Sequence, residues 1–226
     1  AMTIFLAIGS ISMLLASTMA MVSRDIKRVW AYSTISQLGF MIMGLTSGSF
    51  FAGSFHLTNH ASFKALLFLC SGVWVHFYET NDVYEISRHG CRRLKIPMVC
   101  LIIAAAALSG LPPLSGFFSK EIILAALAGL KNPFWLAAGL LGVFLTAYYA
   151  FRLIFIILFP RGEMQEGPSH SRAEGMGVLY WTMGLPLLLL AGVTVVLGFL
   201  EIPLRRFLSG GTAVHPLGDH AWLAYI

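Results

Sequence analysis

Charge is what this sequence has least of. Only 11% of its 226 residues are Asp, Glu, Lys or Arg, against about 25% in an ordinary soluble domain. Cysteine is equally scarce: Cys70, Cys91 and Cys100, with no Cys-x-x-Cys pair, exclude a disulfide framework and argue against a thiolate metal site. There is no phosphate-binding Walker loop, no dinucleotide glycine fingerprint, and no nucleophile–histidine–carboxylate or zinc-ligand pattern. Neither a cofactor nor a metal site is therefore expected in this chain. What the sequence has instead is hydrophobic residues, 58% of the total, and 29 aromatic side chains. These exclude disorder. With a mean hydropathy of +0.79, the chain lacks the polar surface of a water-soluble globule, and the bilayer must be treated as its solvent.

The formal charge of +5 would suit nucleic acid, but the basic residues are scattered between apolar runs rather than gathered on one face. In a membrane protein such loops report topology, and no nucleic-acid partner is expected. The apolar runs are Thr3 to Val22, Val29 to Ser47, Phe51 to Phe77, Ile96 to Leu111 continued by Leu114 to Leu130, Pro133 to Phe159, and Met176 to Leu200. They are too long and continuous for the alternating strands of a membrane barrel, and helices satisfy their own backbone in lipid. The expectation is an all-α, polytopic transmembrane bundle of about six spans. Residues 1–200 form its membrane domain, and residues 201–226 an interfacial tail. Residue 1 is Ala and a span begins almost at once, as in an internal piece of a longer chain.

If six spans alternate, one side carries Arg24, Lys27, Arg28, Arg88, Arg92, Arg93, Lys95, Arg161 and Arg172, and the other Lys131, Arg205 and Arg206. By the positive-inside rule the first side is cytoplasmic or its organellar equivalent. Three basic residues remain within the spans: Lys64, Lys120 and Arg152. A charge at mid-membrane costs about 2.5–3.5 kcal/mol on insertion scales, so each needs a partner or a wet cavity. Arg152, about two turns from the end of its span, can reach the interface.

His56, His60 and Lys64 fall at i, i+4 and i+8 on one helical stripe, a titratable row about 12 Å long. Imidazole can accept a proton on one nitrogen and release one from the other. Desolvation brings the two protonation states of an amine closer in energy. The row reads as a proton relay; its simpler alternative is a set of interhelical hydrogen bonds closed by an ion pair.

A second feature is Leu108 to Glu121. Pro112-Pro113 removes two backbone donors in mid-run, between Gly110 and Gly116, with Lys120 about one turn beyond Ser115-Gly116. A break in the membrane is tolerated only where the backbone is buried in protein or lines a cavity, and such discontinuous helices hold ion sites in transporters. The alternative is a hairpin with the prolines at a membrane surface, which leaves pieces of about 15 residues, short for separate spans. Ser33, Ser36 and Gln37 add polarity to the second run, as interhelical contacts or as a lining beside Lys64. Glu121 follows Lys120 but points about 100° away, toward a neighbouring helix or subunit.

Three segments carry a resemblance to a known family. They are Asp25-Ile26-Lys27-Arg28-Val29-Trp30-Ala31-Tyr32-Ser33-Thr34-Ile35-Ser36-Gln37-Leu38-Gly39; His56-x-x-x-His60-Ala61-x-Phe63-Lys64-Ala65-Leu66-Leu67-Phe68-Leu69; and Leu108-x-Gly110-Leu111-Pro112-Pro113-x-Ser115-Gly116-Phe117-Phe118-Ser119-Lys120. Over roughly residues 1–200 the sequence resembles the antiporter-like subunits of respiratory complex I, in particular their chain 5 or subunit L branch. The same domain occurs in Mrp-type Na+/H+ antiporters and membrane-bound hydrogenases.

The resemblance implies two inverted five-helix half-channels joined by a hydrated polar axis, of which this chain holds the second plus one further helix. The first half-channel, the lateral helix and the final anchoring helix are not in it. Carried over, His56, His60 and Lys64 become the central relay, and Lys120, on the broken helix, the terminal lysine of the exit path. Glu121 stands where a related sequence has aspartate. The implied function is proton translocation as a non-redox subunit of an NADH:quinone oxidoreductase, in a bacterial, archaeal or organellar inner membrane. NADH, FMN, iron–sulfur clusters and quinone belong to other subunits of the complex, which with the lipid bilayer are the expected partners.

Overall fold

The computed structural model describes residues 1–162 and 173–208, with only the helical backbone described over 173–179. Arg172 and positions 209–226 of the expected tail lie outside the described residues. The described chain is helical: α1 (Met2–Val22), α2 (Ile26–Thr46), α3 (Phe50–Tyr78), a short α4 (Val83–Arg88), α5 (Lys95–Ser109), α6 (Ser115–Ala128), α7 (Pro133–Leu158), α8 (Ala173–Val196) and α9 (Glu201–Leu208). Single 3-10 turns stand at Cys91–Arg93 and Leu197–Leu200. No strand occurs among the described residues, only an isolated bridge between Asp25 and Asp82.

Among the described residues, four stretches are long and apolar enough to cross a membrane: Met2–Val22, Phe50–Tyr78, Pro133–Leu158 and Tyr180–Phe207. Adding α2, which is as long as α1 but more polar, and the α5–α6 pair gives about six crossings. The described part of the expected tail is α9, which follows the 3-10 turn directly and pairs Arg205 with Glu201 at 2.8 Å.

Local chemistry sets the helix starts. Asp25 caps α2 by accepting from Arg28 N, Ser49 caps α3 by accepting from Ala52 N, and Asn132 caps α7 with Pro133 in the first turn. Asp82 accepts from the backbone of both Tyr84 and Glu85 to start α4.

The loops after α1 and α3 are bonded to each other: Ile26 N donates to Asn81 O and Val83 N to Arg24 O, both at 2.9 Å. Arg152 reaches the carbonyl of Ser23, and Arg92 that of Leu158. The ends of α1, α3 and α7 therefore share one face of the bundle, the face with the basic loops. Arg205 lies 4.6 Å from the Phe51 ring, at the opposite end of α3. This is the alternation on which the count of six rests.

The prolines interrupt one crossing rather than turning a hairpin. Phe63, Leu66, Leu67 and Cys70, in the later part of α3, form one buried cluster with α5 and with Tyr149 to Ile157 of α7. The first half of α3 meets α6 instead: His56 touches Ser119, and Asn59 donates to Ser115 O. The start of α7 also meets α6, Gly139 standing against Leu127 and Leu124. So α5 and α6 follow each other along α3 in the same direction.

Close approaches depend on glycine. A Cβ on Gly39 would stand 2.5 Å from Gly9 O and 2.8 Å from Met13 N, where α1 and α2 cross backbone to backbone. Small residues permit such crossings in membranes. Outside, Ile4, Phe5, Ile8, Ile11 and Leu15 of α1 are exposed. An apolar face of that extent is costly in water and is at home against lipid or another membrane subunit.

Candidate proton path

His56, His60, Lys64 and Lys120, four ionisable side chains, are buried together: 0%, 5%, 5% and 3% exposed. The first three follow one stripe of α3, as their spacing requires. The His56 and His60 rings are 6.2 Å apart, tilted by 42°. Lys120 joins the row from α6, where its neighbour Ser119 bonds His56 at 2.8 Å.

Each lysine amine donates to a backbone carbonyl. Lys64 Nζ lies 2.9 Å from Trp30 O and 5.5 Å from the Trp30 ring centroid, a cation–π distance. The Trp30 indole is held by Ser71 at 2.8 Å. Lys120 Nζ lies 2.6 Å from Leu108 O, reaching back across the break. The break itself is shaped by Gly110, whose φ of +83° ends α5 with Gly110 N bonded to Ala107 O and Leu111 N to Ala106 O. Gly116 has no room for a side chain: a Cβ there would overlap the carbonyl oxygen of Ala107. The Pro112–Pro113 peptide bond is cis.

His56 is bonded on both nitrogens, Nδ1 to Ser119 Oγ at 2.8 Å and Nε2 to Gln37 Oε1 at 3.0 Å. Gln37 Nε2 in turn donates to Thr146 Oγ1 at 3.1 Å. One α-helical turn before Gln37, Ser33 pairs with the Tyr149 hydroxyl at 2.6 Å. Two polar rungs thus join the antiparallel α2 and α7. Ser36, by contrast, meets Ser17 of α1 at 2.8 Å, away from the row. Glu121 is half-buried on α6. Near the row lie three buried polar atoms without a protein partner: Asn59 Oδ1, Ser115 Oγ and His60 Nε2. Groups of this kind are ordinarily satisfied by water.

The structure thus brings together the histidine row, both lysines and Gln37, and places Ser33 one rung away. Sequence reasoning missed Ser119, Asn59, Thr146 and Tyr149. Thr146 and Tyr149 carried a signal, two polar groups three residues apart in a strongly apolar run. Ser119 directly precedes Lys120 in the segment after the double proline. Arg152 serves structure, on Ser23 O. Outside the membrane, burial pushes the Cys91 thiol up to about 12.

An interrupted membrane helix beside a row of buried titratable groups is an arrangement that ion-conducting membrane proteins use. The comparisons make this specific. Residues 1–146 match the family model described as "NADH:quinone oxidoreductase/Mrp antiporter, TM", and the chain belongs to that family. It is an integral, multi-pass membrane chain. It is 41% identical over 200 residues to NADH-quinone oxidoreductase subunit L of Escherichia coli K12, covering 87% of this chain and 31% of the relative. It is 36% identical over 229 residues to NADH-ubiquinone oxidoreductase chain 5 of Dictyostelium citrinum, covering 99% and 33%.

Among solved structures, it superimposes on a chain of the membrane-bound sulfane sulfur reductase, an archaeal respiratory membrane complex. The TM-score is 0.76 at 26% identity, over 93% of this chain and 42% of that one. A chain of respiratory complex I from Thermus thermophilus shares the fold with a TM-score of 0.77 at 22% identity, over 93% and 43%. The chain spans about a third of the length of the curated relatives it matches.

Proposed function

We propose that this chain is a proton-translocating membrane segment of a redox-driven NADH:quinone oxidoreductase. His56, His60, Lys64 and Lys120 carry the protons. One observation supports the reading above the rest: two lysines, buried in a membrane bundle with two buried histidines, are each held by a backbone carbonyl. A carbonyl binds an ammonium but does not fix the charge as a carboxylate would, so the proton can leave. A proton on one amine makes a proton on the next more costly through like-charge repulsion, which lets charge pass stepwise along the row.

The relatives named as subunit L and chain 5 of NADH–quinone and NADH–ubiquinone oxidoreductases favour this parent enzyme over an Mrp-type antiporter or a membrane-bound hydrogenase. The chain itself acts as a non-redox translocase. NADH, FMN, iron–sulfur clusters and quinone belong to partner subunits, and the complex sits in an inner membrane with the basic loops inside. Gln37 and Ser33 support the path from α2, while Ser36 turns to Ser17 of α1 and Glu121 faces a neighbouring helix or subunit. The deciding experiment reconstitutes the assembled complex in proteoliposomes and counts protons moved per electron. Lys64→Ala and Lys120→Ala should assemble and lose pumping; normal stoichiometry in both would remove the assignment.

A further inference from the structure

His56 is suspended between two helices, and the direction of each of its bonds is set from the far end of the chain of donors. Thr146 Oγ1 lies 2.7 Å from Gly142 O, an atom that can only accept. The Tyr149 hydroxyl also meets Thr146 and Gln37, but the hydroxyl of Thr146 has one proton and its short contact assigns it to that carbonyl, so toward Gln37 it accepts. That turns the amide nitrogen of Gln37 to Thr146, at 3.1 Å, and the amide oxygen to His56, at 3.0 Å. An amide oxygen accepts and does not donate. His56 Nε2 therefore carries hydrogen whether the ring is neutral or charged.

All change of state is left to Nδ1, which faces Ser119 Oγ at 2.8 Å. In the neutral ring, Nδ1 offers a lone pair and accepts the Ser119 hydroxyl proton. In the charged ring, Nδ1–H donates to the same oxygen. The hydroxyl then has two other acceptors, the carbonyls of Ser115 and Gly116, each 3.3 Å away. Ser119 can serve both states by turning its proton. The charged or titratable groups that act on His56 are His60 on its own helix and Lys120 on α6; Phe40 and Phe63 close the remaining sides with their rings.

Resting on the proton-path reading above, we propose that His56 exchanges its proton at Nδ1 alone, across Ser119: as Ser119 Oγ passes its proton to Nδ1 it takes one from a water held at the unpartnered Ser115 hydroxyl, and the reverse transfer returns it. It works as a charge switch at the end of the row, not as a link passing protons through both nitrogens. Leaving by Nε2 would put the proton on an amide oxygen, a far weaker base than imidazole. Ser119 is the positioning residue of this switch and stands immediately before Lys120 in α6. A proton arriving at His56 thus turns a hydroxyl on the very helix that carries the terminal lysine.

The test uses the assembled complex in proteoliposomes, with proton pumping and assembly both measured. Ser119→Ala should assemble and lose pumping to the level of Lys120→Ala, while Ser119→Thr, which keeps the hydroxyl, should restore it. Histidine 15N magnetic resonance on the wild-type complex should show the neutral His56 ring protonated on Nε2 and titrating at Nδ1. Normal pumping in Ser119→Ala while Lys120→Ala fails overturns the switch and leaves the path standing. Normal pumping in both overturns the path and the switch with it. Loss of pumping in Ser119→Thr as well as Ser119→Ala overturns the role of the hydroxyl. A neutral ring protonated on Nδ1 overturns the proposal even if Ser119→Ala does not assemble.

Discussion

The amine of Lys120 and the carbonyl of Leu108 meet at 2.6 Å where α5 has ended at Gly110 and residue 112 has no N–H to give that oxygen. In a continuous helix Leu108 O would accept from the residue four positions on. That residue is Pro112, and the one after it, Pro113, leaves Ser109 O in the same state. The double proline is thus more than a helix stop. It manufactures an acceptor inside the membrane, and the lysine one turn into the next helix fills it.

Pro112→Ala tests this directly. Restoring an N–H removes one of the two obstacles, with the left-handed Gly110, to α5 extending and offering Leu108 O a competing donor. A hydrogen bond to a charged group is worth about 1.5–3 kcal/mol, so losing it should change the proton affinity of Lys120 by about tenfold or more. The expected outcome is an assembled complex whose pumping falls while electron transfer to an artificial acceptor is retained. Pumping at the wild-type rate would show that Lys120 does not depend on that carbonyl.

Lys64→Ala should abolish pumping, whereas His60→Ala should only slow it. Lys64 is held by Trp30 O and touches the Trp30 ring, a geometry that only a cation uses fully. His60 has an unpartnered Nε2 beside other buried polar atoms, and water can occupy the space of its imidazole. Initial rates of acidification in proteoliposomes, compared between the two variants, give the order. Equal loss in both would mean that the imidazole is irreplaceable.

Gly116→Ala should be among the most damaging single-methyl changes in the chain. The added carbon would overlap the carbonyl of Ala107 at the break, backbone against backbone. Overpacking costs about 1–3 kcal/mol where side chains can shift; here neither backbone can move without dismantling the break. The amount of assembled complex on a native gel should drop several-fold. Gly72→Ala, with open space around its Cβ position, should assemble normally and serves as the control.

Cys91 should resist alkylation in the folded protein. Burial pushes its thiol up to about 12, so at neutral pH the reactive thiolate is scarce. Mass spectrometry after treatment with a maleimide should find Cys91 unmodified in native membranes and modified after denaturation. Rapid labelling in the native state would mean that the loop carrying it opens freely.

The helices and the break were readable because each depends on chain that is local in sequence. In lipid a backbone must satisfy itself, so long apolar runs become helices, and a spacing of four along one helix puts His56, His60 and Lys64 in a row wherever that helix packs. The two prolines announce the interruption by the donors they lack. Lys120 was legible for the same reason, a charge in an apolar run.

Which polar groups meet across helices was decided by tertiary structure alone. His56 and Ser119 are 63 residues apart, Gln37 and Thr146 are 109 apart, and Ser33 and Tyr149 are 116 apart. No period in the sequence links them. Their pairing follows from how closely neighbouring helices approach and how each is rotated about its axis, as at Gly9 and Gly39. Ser33 and Ser36 look alike in the sequence, three residues apart on α2; that small rotation sends one to Tyr149 and the other to Ser17 of α1.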